Sequence, residues 1–67
     1  MIRVSMLVRA VRCPGLWRVW RVDAATATLL PRDADAALFL WSNGATHYLM
    51  EQTSQLVPAG MGGRRIR

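Results

Sequence analysis

The chain has 67 residues, a net charge of +5 and 52% hydrophobic residues, with one cysteine and one histidine. A single cysteine excludes an intramolecular disulfide, and together with one histidine it supplies no metal-ligand set of the usual kind. No apolar run reaches the roughly 18 residues of a membrane span. The length predicts a single small β domain over residues 1–60, with a flexible basic tail over residues 61–67.

The basic residues are all arginines, and their placement is polarised. Five precede any acidic residue, the middle of the chain is mildly acidic, and three lie at the end. A compositional bias toward arginine explains the absence of lysine equally well, so the placement carries more weight than the residue type. Because a guanidinium fork suits phosphate and carboxylate, we predict that the basic ends and a neighbouring tryptophan bind nucleic acid or a partner: Arg3, Arg9, Arg18, Trp20, Arg21, Arg64, Arg65 and Arg67.

The first predicted element is a strand over residues 2–11. Apolar side chains recur at every second position there, and several are β-branched, which is typical of a half-buried strand. The sequence Cys13-Pro14-Gly15 follows and predicts a turn, because proline removes a hydrogen-bond donor and glycine permits unusual backbone angles.

Residues 16–22 predict a second strand, rich in aromatic and β-branched side chains. Its alternation puts Trp17 and Trp20 on opposite faces, so at least one of the two tryptophans should face outward. A turn then leads into a third predicted strand over residues 26–30, which Pro31 ends.

Residues 33–44 admit two interpretations. As a helix, the segment would begin at an Asp33 N-cap and end before Gly44. As a hairpin, Asn43-Gly44 would form a two-residue turn, the arrangement that the sequence favours. The hairpin register would sort the aromatic side chains from the leucines and create a possible platform for stacking or for a cation: Phe39, Trp41 and Tyr48.

Residues 53–56 predict a one-turn helix, and residues 57–58 a short extended segment. With the Trp-containing segment 16–22, this layout resembles the SH3-like small β-barrels, which include SH3, Tudor and KOW-type modules. The resemblance implies an all-β barrel of about five strands, and it implies binding of nucleic acid, peptides or larger assemblies. The chain lacks the adjacent Trp-Trp pair of peptide-binding SH3 domains and the glycine-centred KOW signature, so it resembles the family in layout alone.

The sequence predicts no enzyme and no cofactor. His47 is the one candidate general base at neutral pH, and no serine or cysteine has the sequence context of a nucleophile for it. Cys13 is expected to be inert or mildly reactive, with Arg12 lowering its thiol pKa slightly. No glycine-rich phosphate loop is present, and no small-molecule substrate is evident.

These features predict a non-catalytic interaction module. The apolar content is high for so short a chain, which favours a structural or accessory subunit of a virion, a ribonucleoprotein or a homo-oligomer, bound to another protein or to copies of itself. The alternatives are a nucleic-acid-binding barrel and an adaptor for an acidic protein. We expect no membrane association and no secretion, because arginines interrupt the N-terminal apolar run, and a location in the cytoplasm or within a particle.

Overall fold

The computed structural model describes residues 2–45 and 47–59; the predicted basic tail lies outside them. Within these residues the chain forms five strands, one α-helix and one short 3₁₀ helix. The strands are β1 Leu7–Ala10, β2 Cys13–Asp23, β3 Thr26–Pro31, β4 Leu49–Gln52 and β5 Leu56–Pro58. The α-helix α1 spans Ala34–Ser42, between β3 and β4, and the 3₁₀ helix spans Thr53–Gln55. The fold is therefore mostly β, with one helix inserted before the fourth strand.

All five strands form one antiparallel sheet in the order β4-β3-β2-β1-β5. The 3₁₀ helix joins β4 to β5, which are the two edges of this sheet. Four peptide steps from Gln52 to Leu56 span at most about 14 Å. The edges of a flat five-stranded sheet lie about 19 Å apart. The short connection therefore requires the sheet to curve.

The core lies on one face of the sheet, the face against α1, which we call the inner face. Its fully buried side chains include Trp17, whose indole N–H donates to the Pro14 carbonyl at 3.1 Å. Trp17 also meets Phe39 of α1 edge to face, at 6.4 Å between ring centroids. The whole buried cluster is Val8, Ala10, Trp17, Val19, Ala27, Leu29, Ala36, Leu40 and Leu56. Helix α1 thus covers the inner face of the sheet and completes the core.

The start of α1 is anchored on β2. The Asp33 carboxylate accepts hydrogen bonds from the Ala36 N–H at 2.9 Å and from the Leu16 N–H at 3.1 Å. Gly15, with φ +91°, lies directly under this first turn, and a Cβ atom there would come within 2.4 Å of the Ala36 nitrogen. The helix can approach β2 this closely because position 15 has no side chain.

The favoured hairpin interpretation of residues 33–44 is wrong, because this segment forms α1. The Asn43-Gly44 pair ends the helix instead: the Asn43 side chain donates to the Phe39 carbonyl at 2.8 Å, and Gly44 has φ +84°. A type I′ turn and a helix C-terminus both require positive φ, so the same two residues serve either structure. The contacts of Asp33 with the Ala36 and Leu16 N–H groups favour the helix over the hairpin.

Two further predictions near the N-terminus need correction. The strand predicted over residues 2–11 is observed at Leu7–Ala10 alone, because the chain turns at Val4–Ser5 and Ser5 has φ +75°. The turn predicted at residues 13–15 belongs to β2, and the turn occurs at residues 11–12. The structure confirms the second and third predicted strands, the one-turn helix after residue 52 and the short last strand.

Candidate functional site

Trp20 faces outward from the middle of the sheet. Strand β2 alternates normally through Trp17 and Val19, both completely buried, and the register against β3 then slips by one residue between Val19 and Arg21. The slip places Trp20 at a β-bulge, and its side chain is 57% exposed. Bulges redirect side chains and are common beside functional sites. The sequence prediction that one of the two tryptophans faces outward is confirmed, and that residue is Trp20.

An open cleft of about 420 Å³ surrounds this tryptophan. Its lining comes from three neighbouring strands and the segment before β4: Trp20, Arg21, Asp23, Thr28, Tyr48 and Met50. We call these six residues the Trp20 cleft. Tyr48 and Met50 are 48% and 54% exposed, whereas the Thr28 side chain is buried and its hydroxyl donates to the Met50 sulfur at 3.2 Å. The cleft therefore presents apolar and aromatic walls, with one cation and one anion at its rim.

The outer face of the sheet continues beyond the cleft as a row of apolar side chains around Arg18. Arg18 pairs with Leu7 on β1 and with Leu30 on β3, and all three side chains are half-buried. Continuing the β3–β4 register by one residue puts Tyr48 beside Leu30. The Arg18 Nε is buried without a hydrogen-bond partner among the described residues. Arg18 therefore contributes its aliphatic stem to the outer face of the sheet, next to the Trp20 cleft.

Arg3 and Arg9, the other predicted arginines within the described residues, do not line the Trp20 cleft. Arg9 lies on β1, where its guanidinium donates to the Gly15 carbonyl at 3.5 Å. Hydrogen bonds from Ala36 and then Leu16 hold the pKa of Asp33 below its usual value, and the charge of Arg9 adds to this effect. Arg9 therefore belongs to the junction between β2 and α1. Arg3 is exposed in the segment before β1, whereas Arg64, Arg65 and Arg67 lie outside the described residues.

The aromatic platform predicted from the hairpin register does not form as expected. Phe39 is half-buried against Trp17, while Trp41, two residues further along the helix, is 63% exposed. Positions two apart on a helix point in nearly opposite directions. Tyr48 is the one member of the predicted set that reaches the Trp20 cleft.

His47 and Cys13, the two residues considered for a catalytic role, do not line the Trp20 cleft. His47 is exposed in the bend before β4 and lines an open depression with Gly44, Ala45 and Tyr48. Burial and then the Glu51 charge raise the pKa of the Cys13 thiol, and Arg12 offsets this only in part. Arg12 does lower the Cys13 pKa as expected, but burial and Glu51 outweigh it, so the pKa of the thiol is raised overall.

Within residues 2–45 and 47–59, no group of three or more histidine, cysteine or acidic side chains could hold a metal ion. Over the same part of the chain, no helix has the length and apolar character needed to cross a lipid bilayer.

Sequence reasoning missed Thr28 and Met50 as members of the cleft. Both are brought to Trp20 by the pairing of β3 with β4, where Thr28 lies opposite Met50. Twenty-two positions separate them along the chain. The hairpin interpretation pairs residues 45–49 with residues 38–42 instead of with β3. An alternating strand assignment for Leu49–Gln52 would have placed Met50 outward, which is the one signal that the sequence carries.

Comparisons with known proteins assign no family to this chain. No family model, curated protein sequence or solved structure matches it.

Proposed function

We propose that this chain is a non-catalytic interaction module, a small structural or accessory subunit of a larger assembly. The Trp20 cleft is the surface through which it contacts another protein chain. The observation that carries the proposal is the exposure of Trp20 at a β-bulge in the middle of the sheet. Such a subunit would act in the cytoplasm or within a particle.

The composition of the cleft supports a protein partner. Interface cores are enriched in aromatic residues, methionine and arginine, and the residues that dominate binding energy are most often tryptophan, tyrosine and arginine. Trp20, Tyr48, Met50 and Arg21 bring all of these types to one cleft. Full burial of a tryptophan removes about 150–250 Å² of surface from water. At about 25 cal/mol per Å², the exposed part of Trp20 alone would contribute roughly 2–3 kcal/mol of gross binding energy.

We also propose that the curved sheet is an SH3-like barrel. Three features support this: the strand order, the 3₁₀ helix between the fourth and last strands, and the hydrogen bonds of that helix. The Thr53 N–H donates to the Ala25 carbonyl at 2.8 Å, and the Val11 N–H donates to the Gln55 carbonyl at 2.9 Å. The 3₁₀ helix is thereby tied to the β2–β3 turn at one side and to the β1–β2 turn at the other. Helix α1 is then an insertion before β4.

Affinity purification of the tagged chain from the organism that encodes it tests the proposed function. Wild type and Trp20→Ala are compared, with Val11→Ala as the matched control, because Val11 is an exposed apolar residue on the β1–β2 turn. We expect wild type and Val11→Ala to retain the same protein partner after nuclease treatment, or to form a higher-mass assembly of the chain. Trp20→Ala should lose that partner or assembly. Identical recovery with Trp20→Ala would contradict the proposal.

Nucleic-acid binding is the second candidate, because Trp20 lies between Arg18 and Arg21 on β2. An exposed indole can stack on a base while neighbouring guanidinium groups contact phosphates. Fluorescence anisotropy with a labelled single-stranded oligonucleotide tests this directly. Binding that weakens steeply with salt and is lost in Trp20→Ala would support the second candidate over the first, whereas absence of binding at low salt would remove it.

A further inference from the structure

Arg18 lies on the central strand of the sheet, and the fold gives its charged group no acceptor. It pairs with Leu7 on β1 and with Leu30 on β3, so leucines flank it on both sides. The Arg18 Nε is buried, and no described residue accepts a hydrogen bond from this guanidinium or forms an ion pair with it. Buried donors in proteins normally have an acceptor. Arg18 is therefore a cation in apolar surroundings with unused hydrogen-bonding capacity.

The terminal nitrogens of Arg18 are open to a ligand. Of the three guanidinium nitrogens, Nε alone is buried without a partner, and the side chain as a whole is half-buried. The two terminal nitrogens therefore remain accessible at the outer face, where a guanidinium can bind a planar anion such as a carboxylate. The flanking leucines keep water from part of this position, and a charged hydrogen bond is stronger in such surroundings.

The other arginines on these strands have an acidic residue nearby. Arg21 shares the rim of the cleft with Asp23, two positions further along β2. Arg9 interacts electrostatically with Asp33 at the junction of β2 with α1. Asp23 is five positions from Arg18 on the same strand, which is about 16 Å at roughly 3.3 Å per residue, and salt screens surface charges beyond about 8 Å. Arg18 is thus the cation whose charge the fold leaves unbalanced.

From these observations we infer that the partner at the Trp20 cleft is an acidic segment of another protein, with an aspartate or glutamate carboxylate on Arg18. This inference rests on the proposed function, since it names the chemistry of the chain that binds the same surface. Arg18 and Trp20 are two positions apart on β2, a separation of about 7 Å. The partner should therefore carry its carboxylate within two positions of an aromatic or aliphatic side chain that packs on the indole.

A single carboxylate suits this surface better than a phosphate backbone. Nucleic acid carries a negative charge at every nucleotide, and its protein interfaces are much more positively charged than those between proteins. The Trp20 cleft and the neighbouring Arg18 together carry two arginines and one aspartate, a surplus of one positive charge. One acidic side chain balances that surplus.

Selection of short linear peptides from a random phage-displayed library, with the whole chain as bait, tests the inference. The tightest-binding peptide is then titrated by calorimetry into wild type, Trp20→Ala and Arg18→Met, which keeps an apolar stem and removes the charge. Arg12→Met is the matched control, because Arg12 is exposed on the β1–β2 turn and does not line the cleft. A second peptide carries the corresponding amide in place of its acidic residue, which completes a double-mutant cycle with Arg18→Met. Circular dichroism checks that each variant is folded.

We expect the selected peptides to share an acidic residue within two positions of an aromatic or aliphatic one. Arg18→Met should weaken binding roughly tenfold to a hundredfold, the range for a hydrogen bond to a charged group. The amide peptide should lose about as much on wild type, and combining both changes should cost little more than either alone. Arg12→Met should bind the peptide as wild type does.

Selected peptides that lack an acidic residue but still require Trp20 would overturn the inference and leave the proposed function standing. Equal weakening by Arg18→Met and Arg12→Met would also overturn it, because the effect would then come from net charge. Peptides that bind Trp20→Ala as tightly as wild type would count against both proposals. Failure to select any peptide would overturn the inference, and a labelled single-stranded oligonucleotide whose binding Arg18→Met abolishes would then identify nucleic acid as the occupant.

Discussion

Replacing Gly15 by alanine should destabilise the domain far more than the same change at Gly44. Both glycines have positive φ, +91° and +84°. The added Cβ at position 15 would come within 2.4 Å and 2.8 Å of the Ala36 N and Cα atoms, whereas nothing lies within 4 Å of the corresponding position at Gly44. Since backbone atoms cannot move aside as the tip of a side chain can, α1 must shift away from β2.

The magnitudes follow from the positive φ that both glycines share and from the clash that only Gly15 would suffer. A non-glycine residue in the left-handed region costs about 1–2 kcal/mol, and both variants incur that cost. Overpacking adds about 1–3 kcal/mol at Gly15 alone. Gly15→Ala should therefore lose about 2–5 kcal/mol, and Gly44→Ala about 1–2 kcal/mol. A domain of this length has roughly 3–10 kcal/mol of total stability, so Gly15→Ala should lose a large share of it.

Urea unfolding followed by far-ultraviolet circular dichroism measures both variants. With a slope of about 1 kcal/mol per molar urea for so small a chain, the Gly15→Ala midpoint should lie at least about 1 M below that of Gly44→Ala. Equal midpoints for the two variants would refute the close contact between the first turn of α1 and β2.

Three further predictions concern single residues. The pKa of Asp33 is lowered in the folded chain, so its carboxylate stabilises the fold above its ordinary pKa, and that contribution is lost as the pH falls through the lowered value. Asp33→Asn should therefore flatten the decline of the thermal midpoint below about pH 4, and an unchanged acid profile would contradict this. Because the Cys13 pKa is raised, the folded chain should react with a disulfide reagent at pH 8 more slowly than the urea-unfolded chain, and Glu51→Gln should speed the folded reaction; equal folded and unfolded rates would exclude a protected thiol. Trp20→Ala should change the urea midpoint by less than about 0.5 M, while Trp17→Ala should lose about 3–5 kcal/mol and unfold; a large loss at Trp20 would mean a structural role instead of a binding one.

The central strands could be predicted because their alternation is local. In β2 and β3 successive side chains alternate between the two faces of the sheet, so the sequence alone predicts that Trp17 and Trp20 lie on opposite faces. The bulge at Trp20 could not be predicted, because it depends on how β2 pairs with β3. The cleft likewise depends on the pairing of β3 with β4, which brings Met50 to Thr28.

Helix α1 shows why the middle of the chain was harder to predict. Asn43-Gly44 supplies the positive φ that ends a helix, and the same residues suit a tight hairpin. The helix start is held by a contact with β2: the Leu16 N–H donates to Asp33, and Gly15 leaves room for the first turn of the helix. Leu16 lies 17 positions before Asp33 in the chain. Local patterns contain no information about that contact, and so the hairpin interpretation was favoured.

Site-specific photo-crosslinking tests the central claim, that the Trp20 cleft is an interaction surface, most directly. A photoreactive phenylalanine analogue replaces Tyr48, which lines the cleft, and in a parallel chain it replaces the exposed Val11 on the β1–β2 turn. Both chains are irradiated in the cells that normally make the protein. We predict a discrete protein adduct from position 48 and none from position 11. No adduct from position 48, or the same adducts from both positions, would contradict the claim.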